Sequence, residues 1–168
     1  MKSSFVLMLI VYCIGVLMGY VIVHYISTPL PLDFNPSFPI EENISDKLNF
    51  SRQIMANNVA VSIKITLLGC LSLGILGGFF LLYNGIMHGF YFSIAFQSLG
   101  ITEFAARLLP HSFEIIGLVM SAHLGVILSQ KLLLHSSEKT WKGVLIYCLF
   151  ILTVLFVSSI LEVYVSMD

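Results

Sequence analysis

Long apolar runs constrain the fold of this chain more than any other feature of its sequence. A helix needs about 20 apolar residues to cross a bilayer, and the 168-residue chain contains several runs of that order. Hydrophobic residues make up 58% of the sequence and charged residues 10%, whereas a soluble domain carries about 25% charged residues. We therefore predict an all-α, polytopic membrane helix bundle that forms one integral membrane domain over residues 1–168. Its spans are predicted at residues 5–25, 58–83, 85–98, 110–130 and 144–164.

The first apolar run argues against a cleaved signal peptide, and the overall charge argues against a nucleic-acid-binding protein. The first run is too long for the apolar part of a signal peptide and has no small-residue cleavage site after it, so we interpret it as a retained anchor. The net charge of −1 argues against a nucleic-acid partner, because nucleic-acid binding relies on basic residues that neutralise phosphates. The lipid bilayer is the expected environment.

The connections between spans predict the orientation in the membrane. Residues 27–51 hold four of the five prolines and four acids, which is typical of a polar connecting segment. The Asn84-Gly85 pair predicts a turn between the second and third spans. Basic residues favour the cytoplasmic side, and the densest group of them, Lys131, Lys139 and Lys142, follows the fourth span. We therefore predict a cytoplasmic N-terminus, an extracytoplasmic segment 27–51 and an extracytoplasmic C-terminus.

Small residues recur at four-residue spacing in four of the five predicted spans. Such residues allow helices in lipid to approach closely, so we expect the bundle to pack through these faces. The sets are Gly15 and Gly19; Gly74 and Gly78; Gly85, Gly89 and Ser93; and Gly117, Ser121, Gly125 and Ser129. The last set projects within roughly 60° of Glu114 on a helical wheel, which predicts that this carboxylate faces other helices.

The pair His111 and Glu114 is the main candidate for function. An ionisable residue inside a membrane is a functional hypothesis when a partner can be named. The structural alternative is an ion pair between Glu114 and Lys64, which would specify how the second and fourth spans dock. A non-enzymatic binding or conduction role for the same polar layer also stays open.

The catalytic alternative is a metal site in the same layer. His111, Glu114 and His24 could hold a divalent metal such as zinc, and Glu114 could then act as the general base for peptide hydrolysis. The sequence contains no His-Glu-x-x-His motif on any helix, so this interpretation depends on one helical turn only. The wider polar layer comprises Asn57, Asn58, Lys64, Asn84 and Pro110.

Several other polar residues are given structural interpretations. Asn57 and Asn58 are interpreted first as the cap of the second span. His88 and His123 are interpreted as core histidines that lie deeper in the membrane than Glu114.

Three stretches of the chain resemble a known family. They are "NNVAVSIKI" at 57–65, "LLYNGIMHGF" at 81–90 and "LLPHSFEIIGLVMSAHLGVIL" at 108–128. This order resembles the membrane-protein family that includes stage II sporulation protein M, whose pattern is a paired asparagine, an Asn-Gly and a Pro-His-Gly-x-x-Glu that leads a small-residue helix. The matching positions are Asn57, Asn58, Asn84, Gly85, Pro110, His111, Glu114 and Gly125. Ser112 stands where the pattern has a glycine, and His123 has no counterpart.

The resemblance implies a bacterial cytoplasmic membrane protein and leaves its function open among three hypotheses. Small members of the family occur with circular bacteriocins, which implies a component of a complex that matures or exports a secreted peptide. Its partners would be other membrane proteins, a hydrophobic peptide and an export ATPase. The sporulation member is similar to a scaffold, which implies a non-enzymatic role in envelope remodelling. The third hypothesis is an intramembrane metal-dependent peptidase or cyclase that uses His111 and Glu114.

Overall fold

Five long helices make up the described part of the chain. The computed structural model describes residues 2–26, 44–99, 101–135 and 140–165. Within them the helices are α1 (Lys2–Ile26), α2 (Ile44–Leu71), α3 (Ile75–Ser98), α4 (Ile101–Leu132) and α5 (Trp141–Val165). Each is long and apolar enough to cross a membrane. The predicted all-α bundle of five spans is confirmed.

The boundary between the second and third spans differs from the predicted one. The predicted turn at Asn84-Gly85 is wrong, because both residues lie inside α3, where the Asn84 Nδ2 donates to the Phe80 carbonyl at 2.8 Å. The chain turns instead between Leu71 and Ile75. Gly74 has a φ of 96°, which glycine adopts without steric cost. Its N–H donates to the Gly69 carbonyl at 2.7 Å and closes the end of α2.

The predicted starts of the second and fourth spans also differ from the observed starts of α2 and α4. Of the predicted polar segment 27–51, residues 27–43 lie outside the described residues, and residues 44–51 already belong to α2. The predicted fourth span begins at Pro110, but α4 begins at Ile101 and continues through this proline. Proline cannot donate a backbone hydrogen bond. Its own carbonyl, however, accepts a bond from the Ser158 hydroxyl of α5 at 2.8 Å, which ties α4 to α5 at this point.

Helix α4 forms the core of the bundle. It contacts all four other helices. In its most apolar segment 67% of the residues are buried inside the protein, against 22–33% in the other four helices. Every residue from Gly117 to Ile127 is buried. The helix that carries His111 and Glu114 is therefore the most enclosed one.

Helices α1 and α3 touch through their backbones. A Cβ atom added to Gly15 would lie 2.5 Å from the Leu82 carbonyl oxygen, and one added to Gly85 would lie 2.6 Å from the Tyr12 carbonyl oxygen. Added Cβ atoms at Gly19 and Gly89 would overlap the backbone of the facing helix. The predicted small-residue packing is confirmed here, since no larger residue fits at these four positions.

Helices α2, α3 and α4 also approach closely at glycines. An added Cβ at Gly125 would lie 3.1 Å from the Gly69 Cα, and one at Gly77 would lie 2.9 Å from the same atom. One turn away, the hydroxyls of Ser62 and Ser121 are 2.6 Å apart. The predicted Gly74–Gly78 pair packs only at Gly74, where an added Cβ would lie 2.7 Å from the Val126 Cγ2 of α4, because a Cβ at Gly78 would meet only the Met8 sulfur at 4.0 Å.

The backbone contact of α1 with α3 generates a stability prediction. We expect Gly89→Ala to lower the free energy of unfolding by about 1–3 kcal/mol, because the added methyl group must push α1 and α3 apart. The measurement is thermal unfolding of the purified protein in detergent. Gly78→Ala, on the same helix, is the matched control and should be neutral or slightly stabilising, since alanine favours helix formation over glycine. Equal melting temperatures for the two variants would contradict the proposed backbone contact.

Candidate functional site

His111 and Glu114 lie one turn apart on the first half of α4, as their spacing predicts. The His111 Nδ1 is 3.3 Å from a carboxylate oxygen of Glu114. The Glu114 side chain is only 14% exposed and that of His111 is 30% exposed. The carboxylate thus faces the inside of the bundle, in the half of α4 that is nearer its start.

A second carboxylate, Glu162 of α5, completes the site. One ligand atom from each of His111, Glu114 and Glu162 lies within 4.8 Å of the others. The Ser158–Pro110 hydrogen bond lies one turn before Glu162 on α5 and holds the two helices in this register. Sequence reasoning missed Glu162. The available signal was that it is the only acid of α5, a helix apolar enough to cross the membrane, and isolated acids in such helices are costly.

His88 of α3 contacts the other side of the Glu114 carboxylate. Its Nε2 lies 3.8 Å from Oε1 of Glu114, and its Nδ1 lies 2.7 Å from the Tyr12 hydroxyl of α1. The His88 ring also stacks on Phe92, with centroids 5.8 Å apart and planes 17° apart. The interpretation of His88 as a core histidine deeper than Glu114 is therefore corrected, since His88 belongs to the same cluster. We call Tyr12, His88, His111, Glu114 and Glu162 the polar cluster.

The glycine contacts explain why Tyr12 reaches His88. Gly85 lies one turn before His88, and its backbone touches the Tyr12 carbonyl. This close approach leaves room for the tyrosine hydroxyl to meet the imidazole across the two helices. The polar cluster therefore joins α1, α3, α4 and α5, while α2 contributes none of its five members.

Among the side chains that the structure describes, no lysine or arginine pairs with the carboxylates of the polar cluster. Among the residues that the structure describes, the ion pairs of Glu114 involve only His88 and His111. The predicted partner Lys64 is exposed on α2. The alternative in which Lys64 neutralises Glu114 is therefore replaced by one in which imidazoles lie beside the carboxylate. With the described side chains alone, two carboxylates in a mostly buried site need a further source of positive charge, either protons or a cation.

The remaining residues of the predicted metal site and polar layer lie elsewhere. His24, near the end of α1, is exposed and packs its ring against Tyr25 at 5.7 Å, so it is outside the group that could hold a metal. Asn57 is exposed on α2. Neither Asn57 nor Asn58 caps a helix, because both lie well inside α2. Asn84 bonds its own helix and Pro110 is buried within α4.

Asn58 is buried and its amide lacks a partner. Its side-chain Nδ2 has no hydrogen bond to any described residue. Ser62, one turn further along α2, bonds Ser121 of α4, so Asn58 lies near the depth of Gly117, one turn from Glu114. Among the described residues, the Asn58 amide is thus a buried donor without a hydrogen-bond partner close to the depth of the polar cluster.

His123 belongs to a different part of the bundle. Its Nδ1 is 3.1 Å from the Ser4 hydroxyl, and its ring meets those of Phe5 and Tyr147 edge to face, each at 5.8 Å. His123 lies about 13 Å further along α4 than Glu114. It takes no part in the polar cluster, as its spacing from Glu114 predicts.

Comparison with known proteins agrees with the resemblance seen in the three sequence stretches. The sequence model of the stage II sporulation protein M family matches residues 8–167. This range contains all five members of the polar cluster and extends over nearly the whole chain. Neither the curated proteins nor the solved structures contain a significant match. The chain therefore belongs to the stage II sporulation protein M family of multi-pass membrane proteins.

Proposed function

We propose that this protein is the membrane component of a bacterial complex that matures or exports a secreted hydrophobic peptide. It would act in the cytoplasmic membrane, with its N-terminus in the cytoplasm and its C-terminus outside. Its partners would be other membrane proteins of the complex, the peptide and an export ATPase. Family membership and five helices able to span the membrane support the setting, and the polar cluster supports the activity.

The observation that carries this proposal is the concentration of ionisable side chains inside the bundle. Two carboxylates and two imidazoles from three helices lie together within the candidate spans. Such groups are costly in a membrane and mark substrate paths or reaction centres more often than they stabilise a fold. Imidazole and carboxylate groups also accept and donate protons, as the making or breaking of a peptide bond requires.

The position of the polar cluster suits a secreted substrate under the proposed orientation. With the N-terminus in the cytoplasm, α1, α3 and α5 end at the outer face, and Glu162 lies in the last turns of α5. Glu162 would then lie toward the side from which a secreted peptide leaves. The neighbouring amide of Asn58 could bind a backbone carbonyl of that peptide.

A scaffold is the second candidate, and the glycine contacts favour it. The four backbone contacts of α1 with α3 and the enclosure of α4 describe a rigid bundle, as a platform for partner proteins needs. The polar cluster would then serve to fix α3, α4 and α5 in register. In this case envelope enzymes bound to the protein would perform the chemistry.

Substitution of Glu114 tests the proposed activity. We expect Glu114→Gln to lower the yield of mature secreted peptide by about 100-fold, the scale of a positioned acid or base, with unchanged protein in the membrane. The measurement is mass spectrometry of the culture medium of a strain that carries the peptide precursor and its neighbouring genes. Asp46→Asn is the matched control, since Asp46 is an exposed acid of α2 outside the polar cluster.

The same strains separate the two candidates. Undiminished peptide output from Glu114→Gln at normal protein level would contradict an activity at the polar cluster. Loss of partner proteins from an affinity purification of this variant, with the protein itself intact, would favour the scaffold.

The proposed orientation makes its own prediction. Alkaline phosphatase folds only outside the cytoplasm, whereas green fluorescent protein fluoresces only inside it, because it does not fold after export in unfolded form. Fusions of each protein after Asp168 therefore report on which side of the membrane the C-terminus lies. We expect phosphatase activity and no fluorescence. The reverse pattern would place Glu162 toward the cytoplasmic side and would contradict a substrate that approaches from the outer side.

A further inference from the structure

We propose that His111, Glu114 and Glu162 bind one divalent transition-metal ion of the zinc class between α4 and α5. His88 and Tyr12 would orient Glu114 from the opposite side. This inference deepens the proposed function and rests on it for its biological role, because it assigns a cofactor to the same polar cluster. It differs from the site predicted from sequence, in which His24 was the third ligand.

The charge balance of the polar cluster is the first argument. Glu114 and Glu162 are close together within candidate spans, and in the described part of the chain no lysine or arginine pairs with either of them. A divalent cation would neutralise both carboxylates at once. It would also convert a repulsive pair of carboxylates into an attractive arrangement across α4 and α5, where the desolvation of the charges must be offset by direct contacts.

The distances form the second argument. In a tetrahedral zinc site the ligands lie about 2.0–2.1 Å from the metal, and two neighbouring ligand atoms are therefore about 3.4 Å apart. The His111 Nδ1 and the Glu114 Oε2 are already 3.3 Å apart. A carboxylate oxygen of Glu162 lies within 4.8 Å of one ligand atom each of His111 and Glu114, so side-chain adjustments of about 1.4 Å would bring the three ligand atoms to this spacing.

The types of ligand and their supports form the third argument. One imidazole and two carboxylates suit zinc and its neighbours in the first transition row, and three protein ligands leave one position open. Ligating carboxylates are commonly held by outer hydrogen-bonding groups. When Tyr12 donates to Nδ1 of His88, the Nε2 of His88 carries the proton and faces Oε1 of Glu114, which leaves Oε2 for the metal.

The test is the metal content of the full-length protein. The chain is purified in detergent with a tag that contains no histidine, stripped with a chelator, titrated with zinc chloride by calorimetry and analysed for bound zinc after desalting. We expect one zinc ion per chain. Glu162→Gln and His111→Gln should each weaken the zinc Kd by more than about 100-fold, that is, by more than the loss of an outer group does. His24→Gln is the matched control and should bind zinc as the unchanged protein does.

Several outcomes would overturn the assignment. One is a folded protein that takes up no stoichiometric zinc. Another is zinc binding that persists in both ligand variants. A third is a loss of zinc binding in His24→Gln equal to that in the ligand variants. Folding is checked by helical circular dichroism and by size-exclusion chromatography. Should both ligand variants unfold, His88→Gln takes their place, with an expected weakening of about 10- to 100-fold, and an unchanged Kd would overturn the orienting role and the site with it.

Zinc binding tests the metal site, whereas the output of secreted peptide tests the proposed function. Loss of secreted peptide in Glu114→Gln, together with no zinc uptake, would overturn the metal site and leave the proposed function standing. Zinc uptake that depends on His111 and Glu162, together with normal peptide output in Glu114→Gln, would support the site and contradict the proposed function.

Discussion

Contact between glycine backbones on facing helices determines where the polar side chains of this protein meet. Lipid provides no hydrophobic force between helices, so close packing and interhelical hydrogen bonds must hold the bundle together. Gly15, Gly19, Gly85 and Gly89 bring α1 onto α3 with no space for a Cβ atom. The same contact brings the Tyr12 hydroxyl to the His88 ring. The close packing of α1 on α3 thus also assembles part of the polar cluster.

Helix α4 connects these contacts to the polar cluster. It packs on all four other helices, and its small residues meet α2 at Gly69 and α5 at Leu155. Because α4 is enclosed, Glu114 has protein groups around it instead of acyl chains. The proline within α4 gives up one backbone hydrogen bond, and its carbonyl bonds Ser158 of α5. This bond sets the register that brings Glu162 toward His111 and Glu114.

Much of the candidate site could be predicted from the sequence, and the rest required distances between helices. The relation of His111 to Glu114 was predictable because both residues lie on one helix, where a three-residue spacing brings side chains to the same face. The place of His88 was not predictable, since its depth depended on where the chain turns, and the Asn84-Gly85 pair indicated the wrong turn. The Asn84 side-chain amide donates its hydrogen bond within α3. A residue pair that is typical of turns, Asn-Gly, therefore lies inside a helix here.

The partners of Glu114 likewise divide into one that the sequence indicated and one that only the structure showed. Lys64 was a reasonable partner in sequence terms, because it lies in a neighbouring span and carries the opposite charge. It faces outward in the structure, since the face of α2 that meets α4 is occupied by Ser62, Thr66 and Gly69. The proximity of Glu162 to His111 and Glu114 had to be found in the structure, because nothing in the order of residues relates the end of α5 to this part of α4.

The sequence by itself determined that this chain is a bundle of membrane-spanning helices, because apolar length and spacing are properties of each segment alone. It also indicated most of the helix faces that pack, with Gly78 as the exception, since small residues at four-residue spacing mark such faces locally. The tertiary structure alone decided which side chains from different helices share the polar cluster. That choice depends on helix rotation and register, which are set by backbone contacts between segments far apart in the chain.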